Sequence, residues 1–259
     1  RDPGTIGAAL RPNTDLVWLE SPGSLTFRSV DVAAIAQIAH ARDARLVVDN
    51  SWATPLFQKP IELGADLVVH SVSKYVSGHS DLMAGALVGD GDLLERLFYD
   101  AYLLLGASLS PGDAWLVNRG LRTLPERMVR HHRDALAVAR HLRRHPRVRR
   151  VLHPAFDDDA DLVERQLTGY SGLFSIELDT ESFDDVARFV DRLRLFRIGV
   201  SWGGTESLVI AANKGSNADD LRRREVPLGL VRLSIGLEGA ESLIEDLDGA
   251  LAADDGRGT

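Results

Sequence analysis

The chain has 259 residues, 44% hydrophobic and 26% charged, with a formal net charge of −8 and no cysteine. That length supports one large α/β domain or two smaller ones. The acidic balance argues against nucleic acid or an anionic membrane as partner, and the missing cysteines exclude disulfides, thiolate catalysis and cysteine-based metal sites. No apolar run reaches roughly 18 residues, and no basic segment leads into an apolar one, so neither a membrane span nor a secretory signal is expected. The expected location is cytoplasmic. Arg1 rather than Met stands first, so the chain is not expected to begin at a translation start.

The first half alternates short apolar runs with helical patterns, the arrangement of βαβ units and a mostly parallel sheet. Leu16–Glu20 (LVWLE) predicts a strand ending in a Ser-Pro-Gly turn. Asp31–Arg42 predicts a helix with Val32, Ile35, Ile38 and Ala39 as its apolar stripe. Arg45–Asn50 (RLVVDN) and Asp66–Ser71 (DLVVHS) are continuous β-branched runs, as in strands buried on both faces. A further strand is expected at Ala84–Gly89 and a helix at Gly91–Leu105.

Pro125–His145 has the period of a long amphipathic helix, with Met128, Ala135, Val138, Ala139 and Leu142 inward. The basic run Arg140–Arg150 fits a solvated helix end. His141 and His145 stand one turn apart, but no third ligand lies beside them, so no metal site is expected. The rest predicts a smaller α/β unit with strands at Gly172–Leu178, Arg197–Trp202, Leu208–Ala212 and Leu230–Ile235. Its helices are Ser182–Leu193 and Glu241–Ala252, and the polar tail Asp254–Thr259 is expected to fray. A boundary near Arg119 divides the chain into units 1–119 and 120–259.

Of the thirty basic residues only Lys59, Lys74 and Lys214 are lysines. A chain that uses arginine wherever positive charge suffices keeps lysine where a primary amine is needed, because a guanidinium does not form a Schiff base under ordinary conditions. Lys59 and Lys214 sit in polar, turn-like surroundings (FQKP, NKGS), whereas Lys74 follows a buried-looking strand.

Ligands usually sit at the carboxyl ends of parallel strands. RLVVDN puts Asp49 at one such end, and DLVVHSVSK puts Ser71, Ser73 and Lys74 just past the next. A carboxylate facing a pyridine nitrogen keeps it protonated, a nearby lysine can hold an aldehyde, and hydroxyls close to that lysine can bond a phosphate dianion. This set suits pyridoxal 5′-phosphate. The alternative is that Asp49 caps a turn and the serines are loop residues.

The run Val48–Gly85 (VDNSWATPLFQKPIELGADLVVHSVSKYVSGHSDLMAG) closely resembles the Cys/Met-metabolism family of pyridoxal-phosphate enzymes, which includes cystathionine synthases and lyases. The resemblance continues through GLRTLPERMVRHH (Gly120–His132), SGLFSIEL (Ser171–Leu178) and VRLSIGLEGAESLIEDLDGAL (Val231–Leu251). It implies an α/β fold: the fold-type I, aspartate-aminotransferase-like large domain, N-terminally incomplete here, followed by a smaller α/β C-terminal domain. The implied assembly is a homo-oligomer, a dimer of dimers.

By position, the resemblance makes Lys74 the Schiff-base lysine and proton carrier, pairs Asp49 with the pyridinium nitrogen, and sets Ser71 and Ser73 at the phosphate. It sets Arg232 against the α-carboxylate of a small-molecule sulfur amino acid, helped by Ser201 and the backbone of Trp202. His79 in GHSD is expected to be a structural hydrogen-bonding residue outside the site. SPGSLT (Ser21–Thr26), SWGG followed by TESL (Ser201–Leu208) and HPAFDDD (His153–Asp159) look like the bacterial cystathionine β-lyase branch. The implied reaction is β-elimination, giving homocysteine or another thiol, pyruvate and ammonia. The alternatives are a γ-acting relative of the cystathionine γ-synthase, γ-lyase or methionine γ-lyase type, or a non-catalytic truncated form. Family members carry roughly twice as many residues before their lysine as the 73 found here. That part supplies a ring-stacking tyrosine, phosphate-binding amides and a Tyr/Arg pair donated across the dimer.

Overall fold

The computed structural model describes residues 2–252, and the expected polar tail lies outside them. The first half runs α1 (Pro3–Ala9), β1 (Leu16–Glu20), α2 (Val32–His40), β2 (Arg45–Asp49), α3 (Thr54–Phe57), β3 (Leu67–Ser71) and β4 (Gly85–Gly89). Strands β1, β2 and β3 are parallel, and β4 closes the sheet antiparallel to β3, in the order β1-β2-β3-β4. Asp31 caps α2 by accepting a bond from the Ala34 amide at 2.9 Å. The stripe Val32, Ile35 and Ala39 then covers Leu46 and Val48 of β2 and Val68 of β3.

The middle of the chain is helical: α4 (Gly91–Leu97), a π-helical turn (Phe98–Tyr102), α5 (Leu103–Leu105), α6 (Pro111–Leu121) and α7 (Leu124–Leu142). The single helix expected over Gly91–Leu105 is therefore broken at Phe98–Tyr102, and it ends at Gly106 in the left-handed conformation. Arg119 lies inside α6. That helix was not expected, because Pro111 and Gly112 look like turn residues, yet Ser110 caps it and proline is suited to a first helical turn.

The second half runs β5 (Val148–Leu152), a 3₁₀ turn (Pro154–Phe156), α8 (Ala160–Gln166), β6 (Leu173–Leu178), α9 (Phe183–Arg192), β7 (Arg197–Ile198), β8 (Leu208–Ala211), α10 (Ala218–Arg223), β9 (Leu230–Ser234) and α11 (Ala240–Ala252). Its sheet order is β5-β6-β9-β8-β7, antiparallel except for β7 against β8. Every residue of the central strand β6 is buried. The expected strand Arg197–Trp202 stops at Ile198 because the chain leaves the sheet through Gly199, Gly203 and Gly204, with Gly203 at φ +85°.

One apolar core joins α7, α9 and α11 to the second sheet, and it takes in Phe27, Trp52 and Ala53 from the first half. Trp52 Nε1 donates to the Leu173 carbonyl at 2.9 Å. Gln166, buried on α8, accepts from the Val32 amide at 2.7 Å and donates to the Val30 carbonyl at 3.0 Å. These bonds seat the start of β6 and the start of α2 against opposite halves.

Both outer strands of the first sheet are open. Trp18 on β1 is 58% exposed and Val88 on β4 is 48% exposed. Leu104 and Leu105 are 79% and 78% exposed. Among the described residues no helix is long and apolar enough to cross a membrane.

Two histidines are buried neutral in this core. His131 donates from Nδ1 to the Ile235 carbonyl at 2.8 Å, leaving Nε2 buried without a partner. His153 accepts at Nδ1 from the Ala155 amide at 3.0 Å, and its Nε2 is also buried and unpartnered. Burial lowers His131 from 6.5 to about 4 and His153 from 6.5 to about 3. Between those values and 6.5 the unfolded chain binds more protons than the folded one, so stability is lost as pH falls through that window. At roughly 1.4 kcal/mol per pKa unit, His131 alone accounts for about 3 kcal/mol at the acid end. Thermal unfolding followed from pH 7.5 to 4 should show a midpoint that starts to fall near pH 6.5. His131→Asn, which keeps a donor for Ile235, should remove about half of that dependence; an undiminished slope would refute the assignment.

Candidate active site

Parallel pairing carries the ends of β1, β2 and β3 to one edge of the first sheet, with Glu20 in register opposite Asp49. Asp49 Oδ1 accepts the Ser51 amide at 2.9 Å, and Ser51 Oγ accepts the Ser71 amide at 2.6 Å. Ser51 thus ties the end of β2 to the end of β3. Among the described residues, one carboxylate oxygen of Asp49 and the hydroxyl of Ser71 are left without a protein hydrogen bond.

Lys74 follows β3 in a turn that belongs to no helix or strand. The Lys74 amide donates to the Ser71 carbonyl at 3.1 Å, Ser77 to Val72 at 2.9 Å, and Gly78 to Lys74 at 2.8 Å. Ser73 Oγ brackets Ala84, accepting its amide at 2.9 Å and donating to its carbonyl at 3.3 Å.

The Lys74 side chain reaches the second half of the molecule. Its Nζ donates to Ser201 Oγ at 2.9 Å and stands 5.2 Å from the centre of the Trp202 ring. This contact requires the loop carrying Ser201 and Trp202 to lie directly on the lysine backbone. A Cβ on Gly203 would come within 2.8 Å of the Tyr75 nitrogen and 2.9 Å of the Lys74 carbonyl carbon. Behind the lysine, buried Tyr75 sets its ring 5.4 Å from Trp202 and 5.1 Å from His131, and its hydroxyl accepts the Gly172 amide at 2.8 Å. Burial pushes the phenol of Tyr75 up, so it stays neutral.

Arg232 completes this cluster from β9. Its Nη2 donates to the Val200 carbonyl at 2.6 Å, one residue before Ser201. Burial lowers its pKa, opposed by the charge of Glu20 and by Tyr75. Lys74 is lowered as well, first by burial and then by the positive charge of Arg232. Among the described residues no carboxylate lies within 4 Å of the Lys74 amine. The arrangement holds a primary amine in a half-buried crevice, biased toward its unprotonated, nucleophilic form, beside a guanidinium with donors to spare.

Of the residues expected from sequence, Lys74, Ser201, Trp202 and Arg232 therefore share one cluster. Asp49 and Ser71 form a second group at the strand ends, linked through Ser51. Ser73 stands between them with its proton engaged on Ala84. His79 bonds through Nδ1 to the Ser77 carbonyl at 2.5 Å, within its own turn. His141 pairs with Asp248 at 2.7 Å. Sequence reasoning missed Glu20, Ser51 and Tyr75. Glu20 was within reach, because LVWLE and RLVVD end alike in an acid on neighbouring strands; nothing in the sequence marks Ser51 as a bridge.

The description "Cys/Met metabolism PLP-dependent enzyme" fits residues 1–252. The chain is 41% identical to the cystathionine beta-lyase of Bordetella avium, across 95% of this chain and 62% of that protein. It is 39% identical to the cystathionine gamma-synthase of Mycobacterium bovis, across 96% of this chain and 65% of that protein. It is also 39% identical to an L-alanine/L-glutamate racemase of Wolbachia pipientis, across 94% of this chain and 61% of that protein. The chain thus spans less than two-thirds of the length of these relatives.

Gly203→Ala tests the junction. The left-handed backbone and the crowding against Lys74 and Tyr75 together should cost about 1–3 kcal/mol. Calorimetry should show a lower unfolding midpoint; an unchanged midpoint would mean that the loop does not bear on the lysine turn.

Proposed function

The chain belongs to the Cys/Met-metabolism family of pyridoxal-phosphate-dependent enzymes, and we propose that it is the lysine-bearing part of a carbon–sulfur lyase that eliminates the β-thiol of cystathionine or a related cysteine S-conjugate. The products are homocysteine or another thiol, pyruvate and ammonia. The observation that carries this reading is the Lys74 amine, with no carboxylate within 4 Å among the described residues, held beside Trp202 by Ser201, while Arg232 on β9 bonds the Val200 carbonyl one residue before Ser201.

The residues fit the cofactor. An aldehyde needs an unprotonated amine, and Lys74 has no carboxylate within 4 Å among the described residues and a pKa lowered by burial and by Arg232. A ring nitrogen needs a carboxylate, and Asp49 has one oxygen unbound. A phosphate needs donors, and the Ser71 hydroxyl is free, whereas Ser73 would first have to release the Ala84 carbonyl. When bound, the cofactor supplies an electron sink for the charge left at Cα after its proton departs.

In this reading Asp49 keeps the ring nitrogen protonated. Arg232 grips the substrate α-carboxylate through two parallel hydrogen bonds, which orients the Cα–H bond. Lys74 Nζ takes the Cα proton and delivers it to the departing sulfur, while Ser201 holds Nζ between those tasks. Trp202 excludes water from one side of the amine. The β-lyase branch rather than a γ-acting one is supported by SPGSLT, by SWGG with TESL, and by HPAFDDD. The proposed assembly is a dimer of dimers, supported by the exposed apolar stretch at Leu103–Leu105, of a kind that marks interaction surfaces.

With cystathionine, pyruvate supports this proposal and 2-oxobutyrate would replace it with a γ-elimination. Lys74→Ala should abolish turnover and the borohydride-sensitive visible absorbance while leaving the fold intact; turnover within tenfold of the parent would sink the assignment. Asp49→Asn should retain cofactor yet lose most activity, because a neutral amide cannot hold the ring nitrogen protonated. Arg232→Lys should weaken transition-state binding by about 2–4 kcal/mol in kcat/KM without altering the cofactor spectrum. Steady-state kinetics beside that spectrum check both halves.

A further inference from the structure

We propose that Arg127 is a positioning residue for Lys74: its guanidinium holds the backbone turn that carries the lysine and so sets where Nζ stands against Ser201 and Trp202. This rests on the reading of Lys74 as the amine that carries the cofactor.

The turn's own hydrogen bonds use the carbonyls of Ser71, Val72 and Lys74. The next two carbonyls, of Tyr75 and Val76, find no backbone donor and both meet Arg127. Nη1 donates to Tyr75 at 2.6 Å and Nη2 to Val76 at 3.3 Å. Nη2 also donates to the Gly120 carbonyl at 2.9 Å, and Nε to Thr123 Oγ1 at 3.0 Å. Arg127 is only 7% exposed, and among the described residues no carboxylate lies within 4 Å of it. A cation buried without an anion is costly unless its donors are bonded, and here four hydrogen bonds to neutral oxygens take that place. A rigid planar fork with five donors spread over three nitrogens can hold separated carbonyls in fixed positions; an ammonium gathers its three donors on one nitrogen at the end of a flexible stem.

Two glycines make room for this arrangement. A Cβ on Gly78 would fall 2.0 Å from Arg127 Nη1, and one on Gly120 would fall 2.5 Å from the Ser77 carbonyl oxygen. From the other side Gly203 presses on Tyr75 and Lys74. The turn is gripped on both faces, so releasing one grip displaces the lysine rather than a remote part of the fold. Arg127 also sits on the first turn of α7, which couples the lysine to the helix that leads into the second sheet.

The test exploits the three lysines. The 259-residue chain is treated with pyridoxal 5′-phosphate and borohydride at a series of pH values, and each lysine is followed by peptide mass. The aldehyde carbon bonds to Nζ with loss of water, borohydride delivers hydride to that carbon and solvent the proton, and a stable secondary amine remains. In the parent, Lys74 should react fastest and at the lowest pH. Arg127→Lys should slow its labelling at least about tenfold and move its pH midpoint upward, as the amine leaves the crevice beside Arg232. Lys59 and Lys214 should label as before, and the far-UV circular dichroism should be unchanged. Gly78→Ala, which displaces the guanidinium without removing it, should act in the same direction.

Labelling of Lys74 within twofold of the parent, or slowed with its pH midpoint unmoved, would overturn the proposal. So would loss of fold in both variants, because Arg127 would then hold the fold rather than the lysine. If Lys74 in the parent reacts no faster than Lys59 and Lys214, the reading of Lys74 itself has failed, a result separable from either of these.

Discussion

A lysine that must project from a turn, rather than from a helix or strand, leaves its neighbouring carbonyls without ladder partners. In an interior each such carbonyl costs free energy comparable to a lost hydrogen bond. The bonds that satisfy the turn after β3 come from α7, and the crowding at its other face comes from the loop after β7. Much of what joins the two sheets follows from that one requirement. Gly120 and Gly203 are points where one backbone passes another too closely for a side chain, and Gly78 leaves the space that the Arg127 guanidinium fills. The lysine turn thereby becomes the place where the first sheet, the long helix and the second sheet meet.

The electrostatics of the site run against those of the whole chain. The net charge is −8, yet the crevice gathers Lys74 and Arg232, with Glu20 as the acid acting on Arg232. Burial lowers both basic groups, and the positive charge of Arg232 lowers Lys74 further. Such a pocket is relieved by anions. Any anion that binds there neutralises part of it, so filling the crevice and stabilising the fold act in the same direction.

Much of this was readable in the sequence because the signals are local. RLVVDN and DLVVHS are strands by composition, Asp31 caps the helix that follows it, and the scarcity of lysine singles out Lys74. The resemblance set Ser201 beside Arg232 at the substrate, but its contact with Lys74 was not anticipated, since the two residues are far apart in sequence and no periodicity links them. Other features needed coordinates. β5 was hidden in a basic run that reads as a helix end, although Pro146 stops the helix there. The strand expected through Trp202 failed because Gly203 turns the chain onto the lysine, and a glycine in sequence does not say which way the chain will turn. Nothing in the sequence separates Arg127 from the other cations of α7. Only its burial against the Tyr75 and Val76 carbonyls, which no backbone donor reaches among the described residues, shows otherwise.

The two open strands of the first sheet carry a practical consequence. β1 and β4 each present an unpaired row of backbone donors and acceptors, flanked by exposed Leu16, Trp18, Leu87 and Val88. Neither strand contains the lysine, proline or bulge that natural sheet edges use to discourage further pairing. In contrast, β7 at one side of the second sheet is only two residues long. At high concentration the borders of the four-stranded sheet are therefore the places where the described part of the chain can recruit another strand.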